Sequence, residues 1–288
     1  MDDVDGGALG ESGRPTIAQL TIAQLTIGVL GGTGAQGAGL VSRWVRAGMR
    51  VVIGSRSPAR SAAAAATLAA ATGSDRVTGT GNEECAELAD VVVIAVPFEA
   101  QAALLHALRD RLAGKTVVSC VNPLAFDGGG GPHALRVAEG SAAQQAQALL
   151  PASHVTAAFH HLAAGLLADP AVPVIDREVL VLGDDPGSVA TVRALAEAIP
   201  GVRGVDAGGL NQAGRVEALT VELITRDRRE RRERRDRDRQ GPDRHDVDTS
   251  GRVASDRVAS DLDASDLTVG DLHVPVVTEP PEMTITHA

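Results

Sequence analysis

Three glycines at fixed spacing, Gly32, Gly34 and Gly37, constrain the fold of this chain more than any other feature. They follow a short run of β-branched and apolar residues, Thr26–Leu30, which predicts a strand, and they open a stretch with helical periodicity. A second strand candidate, Arg50–Ile53, comes at the distance that a strand–helix–strand unit requires. A glycine triplet alone is weak evidence, but in this setting it predicts the first unit of a nucleotide-binding parallel sheet.

Each glycine meets a separate physical demand. Gly32 is expected to permit a tight turn, Gly34 to let a pyrophosphate approach the backbone, and Gly37 to let helix and strand pack closely. The helix dipole adds to the N–H groups at this end, so together they form an anion site. The N–H groups predicted to face the pyrophosphate belong to Thr33, Gly34, Ala35 and Gln36. The alternative is a glycine turn that binds no ligand.

Beyond this unit, β-branched runs alternate with helical stretches as far as residue 224, which is typical of parallel α/β architecture. Further strand candidates are Val91–Val96, Thr116–Cys120, Val155–Phe159, Val179–Leu182 and Val202–Asp206. Helix candidates are Gly37–Ala47, Ala59–Ala71, Ala100–Arg111, Ser141–Leu149, Val189–Ala198 and Asn211–Ile224. We predict an α/β fold of the Rossmann type, with a doubly wound parallel sheet in residues 26–150 and a smaller C-terminal α/β domain in residues 151–224.

The two ends of the chain differ in composition from this body. Residues 1–25 contain a direct repeat of Thr-Ile-Ala-Gln-Leu, and we assign them to an N-terminal extension. Residues 226–239 hold nine arginines and five acidic residues, and a repeated Arg-Val-Ala-Ser-Asp follows. Such a segment buries too little apolar surface to offset its chain entropy. We therefore expect residues 225–288 to form a low-complexity, disordered tail, with a short Arg-rich helix as far as residue 239 as the alternative.

Composition argues against several classes of function. The net charge of −10 disfavours nucleic-acid binding, and acidic residues interrupt the one arginine run. No apolar run approaches the ~20 residues that span a bilayer, so we expect no membrane partner. The first residues do not resemble a secretory signal. Cys85 and Cys120 are isolated and lack metal-ligand spacing, which favours a reducing, cytoplasmic location and no metal site.

The end of the second strand predicts which dinucleotide binds. An NAD site places Asp or Glu there to bind the ribose 2′-hydroxyl, but no acidic residue lies between Arg50 and Asp75. The strand instead leads into Ser55 and Arg56, with Arg60 one helical turn later. A hydroxyl and a guanidinium suit a 2′-phosphate, because arginine matches phosphate oxygens in bidentate geometry. The sequence therefore predicts NADP, and the alternative is that these are solvated surface arginines.

Two further segments follow strand candidates and so belong to the carboxyl edge of the sheet, where ligands bind in this architecture. Val96 and Pro97 end one strand candidate, and Asn122 follows the next. We expect these residues to lie beside the ribose and nicotinamide. The alternative is that the prolines in these segments only mark ordinary loops and contact no ligand.

Seven short motifs in this order resemble the NADPH-dependent reductases of the 8-hydroxy-5-deazaflavin coenzyme, coenzyme F420. The resemblance covers roughly residues 26–224, and the ordered set is far more specific than the glycine loop alone. The motifs are Leu30-Gly31-Gly32-Thr33-Gly34, Gly54-Ser55-Arg56, Val96-Pro97, Asn122-Pro123-Leu124, Ala158-Phe159-His160-His161, Gly183-Asp184-Asp185 and Val216-Glu217-Ala218-Leu219-Thr220.

The resemblance implies a reversible hydride transfer between the nicotinamide of NADP and the deazaflavin, a small-molecule coenzyme that acts as the substrate. It implies that Val96, Asn122 and Ala164 line the nicotinamide side and that His160 lies near the deazaflavin face. Direct transfer needs the two carbons held in contact and water excluded, so we assign no catalytic acid or base. We also expect a homodimer.

The chain departs at its C-terminus from the family that it resembles. Members of the family continue the last helix with an Asn-Arg-x-Tyr-type segment, whereas this chain enters the arginine run at Thr225. Two alternatives therefore stay open. One is an NADP-dependent reductase of imines or hydroxyacids, which would need a general acid such as lysine in the second domain; the only lysine, Lys115, falls in the first. The other is a non-catalytic NADP-binding protein with a damaged C-terminus.

Overall fold

The fold is known from a computed structural model that describes residues 22–126 and 131–240. Most of the predicted N-terminal extension, and residues 241–288 of the predicted tail, lie outside these ranges. The strands are β1 Thr26–Leu30, β2 Arg50–Ser55, β3 Val77–Gly81, β4 Val91–Ile94, β5 Thr116–Ser119, β6 Leu124–Phe126, β7 Pro132–Ala134, β8 His154–Ala157, β9 Arg177–Gly183 and β10 Val202–Asp206. The α-helices are α1 Ala35–Arg46, α2 Pro58–Thr72, α3 Asn82–Leu88, α4 Phe98–Leu112, α5 Ala142–Leu149, α6 Ala164–Ala168, α7 Pro186–Glu197 and α8 Ala213–Gln240, with a 3₁₀ turn over Leu210–Gln212.

Eight of these strands form one sheet in the order β10-β9-β8-β5-β4-β1-β2-β3. Neighbouring strands run parallel except for β8 and β9, which are antiparallel. The strand order reverses between β1 and β4, so the carboxyl ends of these two strands form the switch point at which α/β sheets bind ligands. The doubly wound Rossmann fold predicted from the sequence is confirmed.

The core lies on both faces of this sheet. Ile27 and Val29 belong to one buried cluster, which also contains the side chains of α1 and α7. Leu30 and Val52 belong to the other cluster, which contains side chains of α3, α4 and α5. Because successive side chains of a strand point to opposite faces, continuous apolar runs are what a sheet covered on both sides requires.

Strands from both predicted domains lie in this one sheet. Thr116 of β5 is the register partner of His154 of β8, which begins the segment assigned to the smaller domain. The division at residue 150 therefore does not coincide with a break in the sheet, and the domain boundaries stay a prediction.

Local signals fix several helix ends. The hydroxyl of Ser141 accepts a hydrogen bond from the N–H of Gln144, 3.0 Å away, and so caps α5. Asp185 caps α7 in the same way through the N–H of Ser188, at 2.7 Å.

The last helix runs further than the predicted Asn211–Ile224. Helix α8 continues to Gln240, so residues 225–240 of the predicted disordered tail are helical. Ion pairs one turn apart support this extension, between Arg226 and Glu230 and between Arg229 and Glu233. Arginine and glutamate are also good helix formers, so a helix forms here although the segment has no apolar residues, as in the alternative of an Arg-rich helix.

No helix within the described ranges combines the length and the apolar character needed to cross a membrane.

Candidate cofactor site

The glycine loop lies at the carboxyl end of β1, and its tight turn falls on Gly31. Gly31 has a left-handed φ of 85°, a conformation that only glycine adopts readily. The φ of Gly32 is not left-handed. A β-carbon on Gly31 would also lie 2.5 Å from the carbonyl oxygen of Ala95, at the end of β4. The N–H of Gly31 donates to the carbonyl of Gly54 on β2, at 3.2 Å. The tight turn is therefore at Gly31, one residue earlier than the predicted Gly32. The close approach of the Ala95 carbonyl requires a glycine at Gly31, and the local sequence pattern does not reveal this contact with the end of β4.

The third glycine of the motif has the predicted function. A β-carbon on Gly37 would lie 2.6 Å from the carbonyl oxygen of Gly31, so only glycine lets α1 pack this closely on the loop. Ala38 is the first residue of the helix whose N–H reaches a carbonyl one turn back, that of Gly34, at 2.8 Å. The N–H groups ahead of it have no acceptor within the helix, and Gly34 and Ala35 are exposed. This end of α1 is therefore open to an anion.

Two exposed arginines follow β2, beside the glycine loop. The hydroxyl of Ser55, the last residue of the strand, accepts from the N–H of Ser57 at 3.2 Å, and the hydroxyl of Ser57 accepts from the N–H of Arg60 at 3.4 Å. These bonds shape the turn that carries Arg56 and begins α2. Neither the Arg56 nor the Arg60 guanidinium has a hydrogen bond or ion pair to another described residue. Both are therefore available to a phosphate.

The ends of β4 and β5 supply the next wall of the site. A β-carbon on Gly31 would lie 2.9 Å from Cγ1 of Val96, so this valine packs against the glycine loop. Pro97 is exposed at the start of α4. Asn122 follows β5, and its amide nitrogen donates to the carbonyl of His160 at 3.4 Å. Its amide oxygen is buried and has no partner among the described residues.

His160 lies in a strained turn after β8. Phe159, immediately before it, is the one described non-glycine residue with a positive φ, 63°. The Phe159 ring is fully buried and meets the ring of Trp44 edge-on, with centroids 5.6 Å apart. This packing holds a conformation that a non-glycine residue otherwise rarely adopts.

The His160 ring is buried and has no protein partner. The residue is 4% exposed, and neither ring nitrogen has a hydrogen bond to a described residue. Burial, and secondly the nearby His161, lower the pKa of His160 to about 3, so the ring is neutral at physiological pH. A neutral imidazole offers one donor and one acceptor, and leaving both unpaired inside a protein is unfavourable. The His160 ring and the buried oxygen of Asn122 are therefore polar groups beside the glycine loop whose hydrogen-bonding capacity no described residue satisfies.

His161 points elsewhere. Its Nε2 lies 2.7 Å from the carbonyl oxygen of Glu178 on β9, so its N–H is engaged within the protein. Of the adjacent pair, His160 is therefore the residue with free polar atoms.

Ala164 begins α6, which packs on α1 at Gly39. A β-carbon on Gly39 would lie 2.6 Å from Cβ of Leu167 and 3.5 Å from the carbonyl oxygen of Ala164. The structure thus places Ala164 beside the middle of α1, whereas Val96 packs on the glycine loop and Asn122 bonds to the His160 turn.

Arg43 also holds α1 against α6 and the residues after it, a contact that the sequence analysis did not predict. Arg43 is 6% exposed, and its guanidinium donates to five backbone carbonyls after the start of α6. Those carbonyls belong to Leu166, Leu167, Asp169, Val172 and Pro173. Burial, more than the charge of Arg46, lowers its pKa. An arginine on an amphipathic helix gives no sequence signal for such a contact, because all five acceptors are main-chain atoms.

Lys115 lies at the opposite edge of the sheet, since it precedes β5. Its ammonium donates to the carbonyls of Ala86, Glu87 and Ala89, all at the end of α3. Lys115 therefore completes a helix terminus rather than a cofactor site. In the described ranges, no group of three or more His, Cys, Asp or Glu side chains could hold a metal ion.

The chain is similar to known proteins in sequence and in structure. Residues 26–123 match a family model described as NADP oxidoreductase, coenzyme F420-dependent. The chain is 36% identical over 199 residues to the F420-dependent NADP reductase of Methanothermobacter thermautotrophicus, covering 67% of this chain and 85% of that protein. It is 35% identical over 194 residues to the enzyme of the same name from Methanocaldococcus jannaschii, covering 66% of this chain and 86% of that one.

A solved structure is also similar. The crystal structure of a protein from Arthrobacter sp. FB24, described as an F420-dependent NADP reductase, matches with a TM-score of 0.60 at 28% identity. The match covers 69% of this chain and 91% of that chain.

Proposed function

Because the chain belongs to the family of coenzyme F420-dependent NADP oxidoreductases, we propose that the carboxyl edge of its sheet holds the two cofactors of that reaction side by side. The protein is an NADPH-dependent reductase of coenzyme F420: it transfers a hydride between NADPH and the 8-hydroxy-5-deazaflavin.

The fit of NADP to this edge rests on the N-terminus of α1 and on two arginine side chains that have no hydrogen bond or ion pair to another described residue. The open end of α1, from Thr33 to Gln36, would hold the pyrophosphate. The exposed guanidinium groups of Arg56 and Arg60, with the hydroxyl of Ser55, would hold the 2′-phosphate. NADP carries a 2′-phosphate in addition to its pyrophosphate. Two positive side chains that form no ion pair with described residues can bind this third phosphate.

The observation that carries the second half of the site is the pair of unsatisfied groups on Asn122 and His160. Both are buried, both lie at the carboxyl edge, and a hydrogen bond joins the Asn122 side chain to the His160 backbone. We place the nicotinamide near Val96, Asn122 and Ala164, and the deazaflavin near His160.

When bound, NADPH supplies the hydride and the deazaflavin accepts it, or the reverse. The chain contributes binding, orientation and exclusion of water, which suffice for direct transfer between two carbons. Val96 packs against Gly31 and so gives the glycine loop an apolar neighbour. His160 stays neutral because burial lowers its pKa to about 3, so it can donate or accept a hydrogen bond without bringing a charge. We assign no catalytic acid or base.

The direct test is to mix the purified protein with NADPH and the oxidised deazaflavin. We expect the visible absorbance of the deazaflavin to be lost, with NADH at least roughly tenfold less effective, because one charged contact is missing. Binding of NADPH without any bleaching, in either direction, would identify a non-catalytic NADP-binding protein. Reduction of a small imine or ketone in place of the deazaflavin would identify a metabolite reductase, which the position of Lys115 disfavours.

The His160 assignment has its own test. Replacing His160 by Ala is expected to weaken binding of the deazaflavin more than binding of NADPH. His161→Ala is the matched control, because that ring is engaged with Glu178. Full activity of the His160→Ala protein would leave the proposed reaction standing and would show that His160 does not bind the deazaflavin.

Two further properties are part of the proposal. We propose a cytoplasmic location, supported by two buried free cysteines, Cys85 and Cys120. We also propose a homodimer, which light scattering at several protein concentrations tests directly.

A further inference from the structure

The side chain of Gln36 connects the glycine loop to the turn after β8. Its amide nitrogen donates to the carbonyl oxygen of Phe159, 3.1 Å away, across 123 residues of sequence. Gln36 lies in the first turn of α1, whose free N–H groups face the proposed pyrophosphate site. One residue therefore takes part in both halves of the cofactor edge, with its backbone in one and its side chain in the other.

Three contacts hold the strained turn at Phe159, and they come from different elements. Trp44 packs edge-on against the Phe159 ring, Gln36 binds the Phe159 carbonyl, and Asn122 binds the next carbonyl, that of His160. A left-handed non-glycine residue persists only where its surroundings impose it. Because these two carbonyls belong to the peptide groups on either side of the His160 α-carbon, fixing both also fixes the direction in which the His160 side chain leaves the backbone.

We propose that Gln36 is a positioning residue for the second cofactor, holding the Phe159 turn so that His160 faces the deazaflavin and coupling that face to the occupancy of the glycine loop. This inference rests on the proposed function and deepens it. Coupling of this kind is reciprocal: if NADP in the loop strengthens binding of the deazaflavin, the deazaflavin strengthens binding of NADP by the same factor.

The pKa of His160 gives an independent measure of whether the Phe159 turn is intact. Burial is the main cause of its lowered pKa, so loosening the turn would admit water and raise the pKa of His160 toward its ordinary value. A purely structural role of Gln36, remote from the site, would leave that pKa unchanged.

The test replaces Gln36 by Met, which keeps the length of the side chain and removes the donor. Ala38→Met, on the exposed side of the same helix, is the matched control. With non-reactive NADP⁺ bound, we expect Gln36→Met to raise the calorimetric Kd of the oxidised deazaflavin about 5–10-fold, the equivalent of one hydrogen bond. The Kd of NADPH alone should stay within about twofold, because the backbone anion site is intact. Nitrogen NMR should show a higher pKa of His160 in Gln36→Met only.

The coupling is also tested on the unmodified protein, which avoids any folding defect of a variant. The oxidised deazaflavin should bind more tightly with NADP⁺ present than without it, and equal Kd values overturn the coupling. An increase in the Kd of NADPH as large as that of the deazaflavin in Gln36→Met overturns the positioning role, as does an unchanged His160 pKa. Failure of the proposed function is distinct, since it appears as an absence of bleaching in the unmodified protein.

Discussion

Glu217 accepts a hydrogen bond from the backbone N–H of Ala142, 2.9 Å away, although 75 residues separate them in the chain. Its other oxygen accepts from the N–H of Ala143 at 3.1 Å, so one carboxylate from α8 satisfies two of the free N–H groups that open α5. Glu217 is 1% exposed, and burial raises its pKa to about 7 against the opposing effect of these two bonds. The start of the last helix is thereby fixed to the core.

Glu217 and His160 predict opposite pH dependences of stability. The raised pKa of Glu217 adds stability that is complete below pH 4.5 and is lost as the pH rises through about 7. The lowered pKa of His160 adds stability that is complete above pH 6.5 and is lost as the pH falls toward about 3. Between pH 4.5 and 6.5 the two slopes oppose each other.

Single variants should separate these slopes in urea unfolding. Relative to the unmodified protein, the unfolding free energy of Glu217→Gln should rise more steeply with pH in this window, by up to about 1.4 kcal/mol per pH unit. That of His160→Phe should fall by a similar amount, because Glu217 then acts alone. Parallel pH profiles for all three proteins would show that neither group is perturbed.

Arg56 is predicted to select NADPH over NADH. Removing its guanidinium in Arg56→Ala should weaken NADPH binding by roughly 1.5–3 kcal/mol, the range for hydrogen bonds to charged groups, and barely affect NADH. Arg50→Ala is the matched control, because Arg50 is exposed at the other end of the same strand. Calorimetric titration with both nucleotides measures the difference, and an equal loss for both would remove Arg56 from the 2′-phosphate.

Gly37 is predicted to tolerate no side chain. In Gly37→Ala the new β-carbon would meet the Gly31 carbonyl at 2.6 Å, so α1 must shift and the protein should lose roughly 1–3 kcal/mol. Gly165→Ala, a helical position with nothing within 4 Å, is the control and should be neutral or slightly stabilising. Thermal unfolding and NADPH affinity test both, and equal behaviour of the two variants would contradict the packing argument.

Lys115 is predicted to matter for stability and not for the reaction. Lys115→Met leaves three carbonyls at the end of α3 without their cation and should destabilise the protein by about 1–3 kcal/mol. The kcat for deazaflavin reduction should stay within about twofold, since Lys115 lies at the other edge of the sheet. A collapse of kcat in a folded variant would revive a lysine-dependent mechanism.

Truncation should locate the functional end of the chain. Removing residues 241–288 is expected to leave NADPH affinity and Tm nearly unchanged, because the contacts that build the site all precede them. Ending the chain at Ile224 also removes Arg228, which lies 4.5 Å above the Phe126 ring at the end of β6. The chain that ends at Ile224 should therefore have a Tm lower by a few degrees. A large fall in Tm from the first deletion would contradict this boundary.

The sequence predicts those elements whose boundaries depend on residues close together in the chain. Strands β1 and β10 begin and end where β-branched runs do, and Ser141 begins α5 because its hydroxyl and Gln144 are close in sequence. Strand β3 was not predicted, because Val77–Gly81 contains two glycines and one buried residue. Gly79 is required there: a β-carbon would lie 2.1 Å from the Ser61 carbonyl.

The candidate site shows the same division. The glycine motif and the absence of an acid after β2 are local, and they predict the nucleotide. The left-handed conformation of Phe159 is not local, because it depends on Trp44 and on Gln36, both more than a hundred residues away in the chain. The contact between Arg43 and α6 is hidden for the same reason.

Trp44 gives the protein an optical probe at this turn. The chain has one tryptophan and no tyrosine, so its near-ultraviolet emission comes almost wholly from a single indole. That indole is buried, donates from its ring nitrogen to the Leu195 carbonyl at 2.9 Å, and touches Phe159, the neighbour of His160. Because reduced nicotinamide absorbs where tryptophan emits, NADPH should quench this emission by energy transfer, and NADP⁺ should not. Binding and turnover can therefore be followed in real time without a label.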